Sequence, residues 1–152
     1  MRTVLFICTG NTCRSPLAEG IAREAVRTGA IEGVETDLFV ASAGVQAEDG
    51  MPVSYESREA LARRGIEIDG GSTGLTAEMI DRADLVLGMT GSHVEAARMI
   101  SPGSKTPIER LDPDGDIPDP IGQPQDVYDR VASRIETLIP SRLRELLAAP
   151  RL

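Results

Sequence analysis

The sequence predicts an α/β fold in which a parallel β-sheet is covered by helices. Short apolar runs alternate with segments of helical periodicity along the chain, which is typical of parallel strands joined by helical crossovers. The chain has 152 residues, a length at which one domain buries a sizeable core without disulfides or metals. We therefore expect a single domain over residues 1–152, without internal repeats or low-complexity segments.

The N-terminal apolar run predicts the first strand, and a helical pattern follows it directly. Thr3–Ile7 is rich in β-branched and aromatic side chains, which favours a buried strand. The pair Ser15-Pro16 is typical of a helix start, with Ser15 as the N-cap. Apolar side chains then recur at helical spacing to about Thr28, and Gly29 ends the helix.

The middle of the chain predicts a second strand, a longer helix and a short helix. Leu38–Ala41 has the apolar pattern of a strand. Residues 52–64 have helical spacing that directs Leu61 inward, and Gly65 ends this helix. Thr76–Ile80 is predicted to be a short helix with its threonine as the N-cap.

Two further strands are predicted in the second half of the chain. Asp84–Thr90 is an apolar run that indicates a central strand, and Ser92–Ile100 is predicted to be the helix after it. Thr106–Ile108 is predicted to be a short final strand. Its proline cannot donate to a strand ladder, so this strand is expected at a sheet edge or to begin at the proline.

A loop rich in Asp, Pro and Gly, residues 111–124, precedes the C-terminal helix. This helix begins near Asp126 and carries apolar side chains at roughly helical spacing as far as Leu147. Pro140 lies inside the pattern, and because proline removes a helical hydrogen bond we expect it to kink or interrupt the helix.

The composition narrows the classes of function. The formal net charge is −8, and the basic residues are scattered, so neither nucleic acid nor an anionic membrane surface is an expected partner. No signal peptide and no membrane-spanning run is evident, so we expect a cytoplasmic protein whose two cysteines are thiols. Two cysteines and one histidine do not fill a zinc shell without a carboxylate, so no structural zinc site is expected.

The segment Cys8–Pro16 points to a chemical function. It places a thiol at the carboxyl end of the first strand, then five small or polar residues, and then Arg14. In such a turn the backbone N–H groups can converge on an anion, and the following helix N-terminus favours a thiolate. Ligands of open parallel sheets bind at this end of the strands. The segment therefore predicts a phosphate-binding loop in which Cys8 is the nucleophile and the planar Arg14 guanidinium binds two phosphate oxygens.

The other loop residues are expected to bind the substrate phosphate around these two side chains: Thr9, Gly10, Asn11, Thr12, Cys13 and Ser15. Gly10 and Asn11 are expected to supply the unusual backbone angles of the loop. The Ser15 hydroxyl can also donate to the Cys8 sulfur. Cys13 either packs the loop or traps an oxidised Cys8 as a reversible disulfide.

A thiolate that attacks phosphorus also needs an acid for the leaving group, and Asp119 is the candidate. Pro118 and Pro120 bracket it and restrict its backbone. Most of the other aspartates in this loop are expected to form a solvated acidic turn. His93, the only histidine, is expected at the surface.

These residues closely resemble the low-molecular-weight protein tyrosine phosphatase family. Cys8–Ser15 matches its signature of a cysteine, five residues, an arginine and a serine, and Asp119-Pro120 matches its acid. The resemblance covers nearly the whole chain. It implies a four-stranded parallel sheet flanked by helices, a phosphocysteine intermediate and no cofactor. It also implies that Asp119 acts first as an acid and then as a base for water.

Within this family the loop is most similar to that of the bacterial protein-arginine phosphatases, which share Thr12. Tyrosine-directed members usually carry an aliphatic residue there and aromatics where this chain has Ile121-Gly122. Ile121 supports the similarity to the arginine phosphatases only in part, because the arginine phosphatases compared carry an aromatic residue at that position. The resemblance therefore implies hydrolysis of phosphoarginine on proteins, with phosphorylated proteins as partners.

Other functions remain open on the sequence alone. A tyrosine phosphatase would use the same mechanism, and Thr12 could simply pack the loop. A thioredoxin-coupled arsenate reductase needs further cysteines, and none follows Cys13. A phosphate-binding module without turnover would not need Asp119. The oligomeric state is not determined, and a monomer is one option.

Overall fold

The computed structural model describes residues 1–31 and 38–147. It contains a four-stranded, fully parallel sheet in the spatial order β2-β1-β3-β4, as the α/β prediction and the resemblance required. The strands are β1 (Thr3–Cys8), β2 (Phe39–Gly44), β3 (Leu85–Gly88) and β4 (Ile108–Arg110). The helices are α1 (Arg14–Arg27), α2 (Tyr55–Ala62), α3 (Ala77–Arg82), α4 (Gly91–Ile100) and α5 (Gln125–Leu147).

Side chains of β1 supply both faces of the core because successive residues of a strand point in opposite directions. Val4, Phe6 and Cys8 pack on the face covered by α1, α2 and α5. Leu5 and Ile7 pack on the other face, beneath α3 and α4. The sheet is therefore buried on both sides, which explains why β1 is a continuous apolar run.

Register places the end of β1 beside the ends of its two neighbours. Cys8 pairs with Gly44 of β2, and Ile7 pairs with Gly88 of β3. A Cβ on Gly44 would lie 2.5 Å from the Thr9 carbonyl oxygen and 2.9 Å from the Asn11 nitrogen. Glycine at this position lets β2 approach the turn after β1 closely.

Most predicted elements are present, with shifts at their ends. The Thr76 hydroxyl accepts the Met79 N–H as the N-cap of α3, and β4 is an edge strand that starts just after its proline. The second helix starts at Tyr55 rather than Pro52, because Ser54 is its N-cap and accepts the Ser57 N–H. Among the described helices, none combines the length and apolarity needed to cross a membrane.

Of the two effects expected of Pro140, a kink or an interruption of the last helix, the interruption is wrong. Helix α5 continues from Gln125 to Leu147 with the proline inside it. Ile139 and Leu143, on either side of the proline, are fully buried in the core cluster that also contains β1 side chains. Their burial offsets the cost of the missing hydrogen bond, which is about 3 kcal/mol.

Candidate active site

A cleft at the carboxyl end of β1 brings the predicted loop and the predicted acid together. Its volume is about 140 Å³. It is lined by Cys8, Thr9, Gly10, Thr12, Cys13, Arg14, Asp119 and Ile121. Asp119 is more than a hundred residues from the loop in sequence, so the fold alone brings its carboxylate into the same cleft as the thiol.

Cys8 is buried at the base of this cleft, with a hydroxyl beside its sulfur. The Ser15 Oγ lies 2.9 Å from the Cys8 Sγ. Asn11 Nδ2 donates to the same Ser15 oxygen at 2.7 Å, so the Ser15 hydrogen is directed at the sulfur. The predicted donation from Ser15 to Cys8 agrees with this geometry. The predicted N-cap role of Ser15 is wrong, because α1 begins at Arg14 and Cys13 is its N-cap without a side-chain capping bond.

The orientation of the Asn11 amide follows from its partners. The Thr73 N–H donates to Asn11 Oδ1 at 2.9 Å, so Nδ2 faces the hydroxyls of Ser15 and Ser42. Ser42 in turn donates to Glu19 Oε1 at 2.9 Å. This buried network, which sequence reasoning missed, holds the loop from behind. Its members are spread over three segments, and no local pattern announces their contact.

The backbone of the loop has one left-handed residue, and it is Asn11 with φ 57°. The expectation that Gly10 also supplies an unusual angle is wrong, since its φ is not positive and a Cβ there would meet only the Thr12 Oγ1, at 3.7 Å. Asparagine tolerates this region better than most residues. Asn11 therefore sets the turn of the loop through its backbone and secures it through its side chain.

The carbonyl groups of the loop are bound from outside. Val45 and Gln46 donate their N–H groups to the oxygens of Cys8 and Thr9, each at 2.9 Å. Ser54 donates to the Thr12 oxygen at 2.8 Å. Within the part of the chain that the structure describes, the N–H groups of residues 10–13 have no protein acceptor. These amides are available to an anion, as a phosphate-binding loop requires.

Arg14 is held with its guanidinium in the cleft. It is 4% exposed, and its Nη1 donates to the Ile117 carbonyl at 2.9 Å. Its Nη2 lies 3.5 Å from the Thr9 Oγ1 and 3.7 Å from the Asp119 Oδ2. The arginine is thus fixed at one nitrogen and presents the other to the Thr9 hydroxyl and the Asp119 carboxylate.

Asp119 lies at the open side of the cleft, with 43% of its side chain exposed. Its Oδ1 accepts the Ile121 N–H at 3.0 Å, and its Oδ2 faces Arg14. The loop behind it is bound by Ile117, whose N–H donates to the Met89 carbonyl at 2.9 Å. Asp116 adds a second attachment, because its Oδ1 accepts the N–H of Gly91 at the start of α4.

Asp112, at the beginning of the same loop, is not part of a solvated turn. It is buried and accepts two hydrogen bonds from Arg134, at 2.7 and 3.1 Å. The Arg134 guanidinium holds the pKa of this carboxyl below its usual range. The expectation of a solvated turn fails here because α5 brings its arginine to the loop.

His93 is buried, so its predicted surface position is wrong. It is 4% exposed and occupies the first turn of α4, where its Nδ1 accepts the Thr90 N–H at 3.2 Å. Its Nε2 lies 2.9 Å from the Thr9 Oγ1, at the edge of the cleft. Burial, assisted by the Arg14 charge, lowers the pKa of His93 to about 4. The ring is therefore neutral near pH 7.

Cys13 is a second buried thiol in the cleft wall. Its Sγ lies 3.6 Å from the Ser54 Oγ and 3.8 Å from the Tyr128 hydroxyl. Burial raises the pKa of Tyr128, with Cys13 adding to the effect, so the phenol remains protonated. Both cysteines are free thiols.

Thr12 and Ile121 form the remaining wall. The Thr12 hydroxyl has a single weak polar contact among the described residues, with the Cys13 sulfur at 3.9 Å. Ile121 is 66% exposed, next to Gly122, which has φ 77°. The cleft mouth is therefore aliphatic and polar, without an aromatic ring among the residues lining it. Across residues 1–31 and 38–147, no group of three or more His, Cys, Asp or Glu side chains is arranged to hold a metal.

Comparison with known proteins agrees with this geometry. The sequence model of the low molecular weight phosphotyrosine protein phosphatase family matches residues 3–150. The chain belongs to this family. The match to the low-molecular-weight phosphatases therefore includes both the loop and Asp119, the two parts that meet in the cleft.

Two curated relatives cover almost the entire chain. A protein named protein-arginine-phosphatase from Geobacillus stearothermophilus is 40% identical over 149 residues, which is 95% of each chain. One with the same name from Bacillus subtilis is 32% identical over 148 residues, covering 94% of this chain and 95% of its own. A low molecular weight protein-tyrosine-phosphatase from Escherichia coli, Etp, is 31% identical over 88% of this chain and 87% of its own.

Solved structures show the same fold. A low molecular weight protein tyrosine phosphatase from T. tengcongensis matches with a TM-score of 0.87 and 37% identity, over 96% of this chain and all of that one. A YwlE arginine phosphatase carrying serine for cysteine, with a phosphorylated active-site serine, matches with a TM-score of 0.87 and 29% identity over 95% of each chain.

Proposed function

We propose that this chain is a protein phosphatase that hydrolyses phosphoarginine through a phosphocysteine intermediate. The observation that carries the proposal is the single cleft in which Cys8, Arg14 and Asp119 face one another above four loop amides without protein acceptors. A phosphoryl group seated there would meet a nucleophile, a cation and an acid at once.

The first step is attack of the Cys8 thiolate on phosphorus. The S–P bond forms while the bond from phosphorus to the leaving nitrogen breaks, and the Asp119 carboxyl gives its proton to that nitrogen. Arg14 and the loop amides stabilise the charge on the phosphoryl oxygens. The hydroxyl that Ser15 directs at the sulfur stabilises the thiolate before attack and again as it departs.

The second step releases inorganic phosphate. The Asp119 carboxylate takes a proton from water, the water oxygen attacks phosphorus, and the S–P bond breaks to restore the thiolate. The position of Asp119 supports both roles, since its exposed side chain faces solvent and its Oδ2 faces the cleft. The chemistry needs Cys8 as a thiol, which is consistent with the reducing conditions of the cytoplasm.

Thr12 supports the choice of phosphoarginine. It lines the same cleft as Cys8 and Asp119, and its hydroxyl has only a weak protein partner there. A guanidinium presents N–H donors that a hydroxyl or a carboxylate can accept, whereas an aryl ring gains from stacking, which this cleft mouth does not offer. The names of the two arginine-phosphatase relatives point to the same substrate on phosphorylated proteins.

Phosphotyrosine is the second candidate substrate. The mechanism would be unchanged, and the name of the family and of several relatives favours it. The exposed Ile121 at the mouth would then be the apolar contact for the ring.

The two substrates are distinguished by kcat/KM on matched phosphoarginine and phosphotyrosine peptides. We expect the wild type to prefer phosphoarginine. Thr12→Ile keeps the shape of the side chain but removes the hydroxyl, and it is expected to move the ratio toward phosphotyrosine by about ten- to a hundredfold. Thr137→Ile, an exposed change on α5, is the matched control and should leave the ratio unchanged. Equal or better turnover of phosphotyrosine by the wild type would overturn the arginine assignment.

A further inference from the structure

The tautomer of His93 is determined by its surroundings. The backbone N–H of Thr90 donates to Nδ1 at 3.2 Å, so this nitrogen carries no hydrogen. The lowered pKa of the buried ring keeps it neutral, so its one hydrogen is on Nε2. Nε2 therefore donates to the Thr9 Oγ1, 2.9 Å away.

The same Thr9 oxygen accepts a second hydrogen bond. Arg14 Nη2 donates to it at 3.5 Å. A hydroxyl oxygen has two lone pairs, and both are now occupied by donors. The Thr9 hydrogen must therefore point elsewhere, and in the part of the chain described no protein group accepts it. Thr9 lines the cleft with Cys8 and Arg14, so the open direction is the cleft itself.

We infer that His93 is a positioning residue that turns the Thr9 hydroxyl hydrogen into the cleft, where it donates to an oxygen of the bound phosphoryl group. This rests on the proposed function, in which that group is seated over Cys8. The arrangement adds one oriented O–H donor to the loop amides and Arg14. A threonine without His93 could instead donate to another group, and the donor would not be preorganised.

The test is the Kd of inorganic phosphate for the full chain, measured by titration calorimetry so that it does not depend on turnover. Thr9→Val keeps the side-chain shape without the hydroxyl and is expected to weaken binding by about tenfold. Thr9→Ser retains the hydroxyl and should recover most of the affinity. If the wild type binds phosphate and Thr9→Val binds it with the same Kd, the inference is overturned but the proposed function is not.

The role of His93 is tested by combining variants. His93→Leu is expected to weaken phosphate binding to a similar degree as Thr9→Val, and the double variant should be no weaker than Thr9→Val alone. Fully additive losses would show that the histidine does not act through this hydroxyl. Thr76→Val is the control for lost helix capping, since it removes an N-cap of α3 away from the cleft and should lower stability without changing the Kd. Failure of the wild type to bind phosphate would overturn both proposals.

Discussion

The phosphate loop, residues 8–15, and the acid loop, residues 111–124, contribute to one cleft but are built in opposite ways. In the phosphate loop Cys8, Asn11, Arg14 and Ser15 are buried, and their side chains bond to one another or to neighbouring segments. In the acid loop the carboxylate of Asp119, the proposed acid, is exposed at the cleft rim. Other residues of the acid loop hold it in place. Asp112 accepts a hydrogen bond from Arg134, and the middle of the loop is bound to Met89 and Gly91.

The difference between the two loops matches their two proposed tasks, which are phosphate binding and proton transfer. Binding a dianion requires donors that are fixed before the ligand arrives, and burial with saturated hydrogen bonds provides that. Proton transfer requires a carboxyl that meets both substrate and water, and exposure provides that. Changes to the side chains that anchor the phosphate loop should therefore affect binding, stability and chemistry together, whereas changes at Cys8 or Asp119 should affect mainly the chemistry.

Replacement of the nucleophile should have the largest effect. Cys8→Ser is expected to lower hydrolysis of phosphoarginine peptides on the order of 10⁴-fold, because a serine hydroxyl is a far weaker nucleophile than a thiolate. Inorganic phosphate should still bind, since the loop amides and Arg14 remain. Steady-state kinetics and calorimetry measure the two properties separately. Hydrolysis within tenfold of the wild type would mean that the cleft is not the catalytic centre.

Removal of the acid should come next and should depend on the leaving group. Asp119→Asn is expected to slow phosphoarginine hydrolysis by about 10²–10³-fold. An activated aryl phosphate has a leaving group that departs without protonation, so the first step should still proceed in this variant. Phosphocysteine should then accumulate, because the base that activates water in the second step is missing. Intact-mass spectrometry after acid quenching detects it. Asp114→Asn, an exposed change in the same loop, is the control, and a comparable loss there would contradict the assignment.

Loosening the phosphate loop should have an intermediate effect. Asn11→Ala removes hydrogen bonds to Ser15, Ser42 and Thr73 and places an alanine at φ 57°. We expect a loss of about 2–3 kcal/mol in the free energy of unfolding and about tenfold in kcat/KM. Denaturant unfolding and kinetics measure these. Ser42→Ala removes one Asn11 contact and the Ser42 bond to Glu19 but leaves the backbone at Asn11 unchanged, so it should cost less. An unchanged stability in Asn11→Ala would contradict the proposed rigidity of the loop.

The second cysteine should matter least, and only after oxidation. Peroxide converts the Cys8 thiolate to a sulfenic acid, and the Cys13 thiol can condense with it to give a disulfide and water, which dithiothreitol reduces. Each protein is compared with its own untreated activity. The wild type is expected to recover on thiol addition, and Cys13→Ser is expected to recover less. Equal recovery would exclude a protective role for Cys13.

The parts that sequence predicted well are those encoded by neighbouring residues. The apolar run of β1, the cap at Thr76 and the edge position imposed by Pro107 each depend on a few adjacent side chains. The family signature likewise identified the loop and Asp119, and the fold brings them into one cleft.

Several of the errors concern residues whose partners are not adjacent to them in the sequence. His93 was expected at the surface, but the cleft edge buries it against Thr9, 84 positions earlier. Ser15 resembled an N-cap because a proline follows it, but the N-cap is Cys13, two residues earlier, and the Ser15 hydroxyl contacts the Cys8 sulfur. Asp112 resembled a turn residue, but Arg134 binds it. The pattern of neighbouring residues in the sequence does not indicate such contacts.

The outward anchoring of the loop carbonyls has a consequence for how the site could be altered. Val45, Gln46 and Ser54 bind these oxygens without lining the cleft themselves. Each peptide unit has an oxygen end and a hydrogen end, so holding the oxygen outward turns the hydrogen toward the anion. If one of these anchors were lost, a peptide flip could place an oxygen where phosphate belongs. The polarity of the site is thus maintained by backbone N–H groups that lie outside the cleft lining.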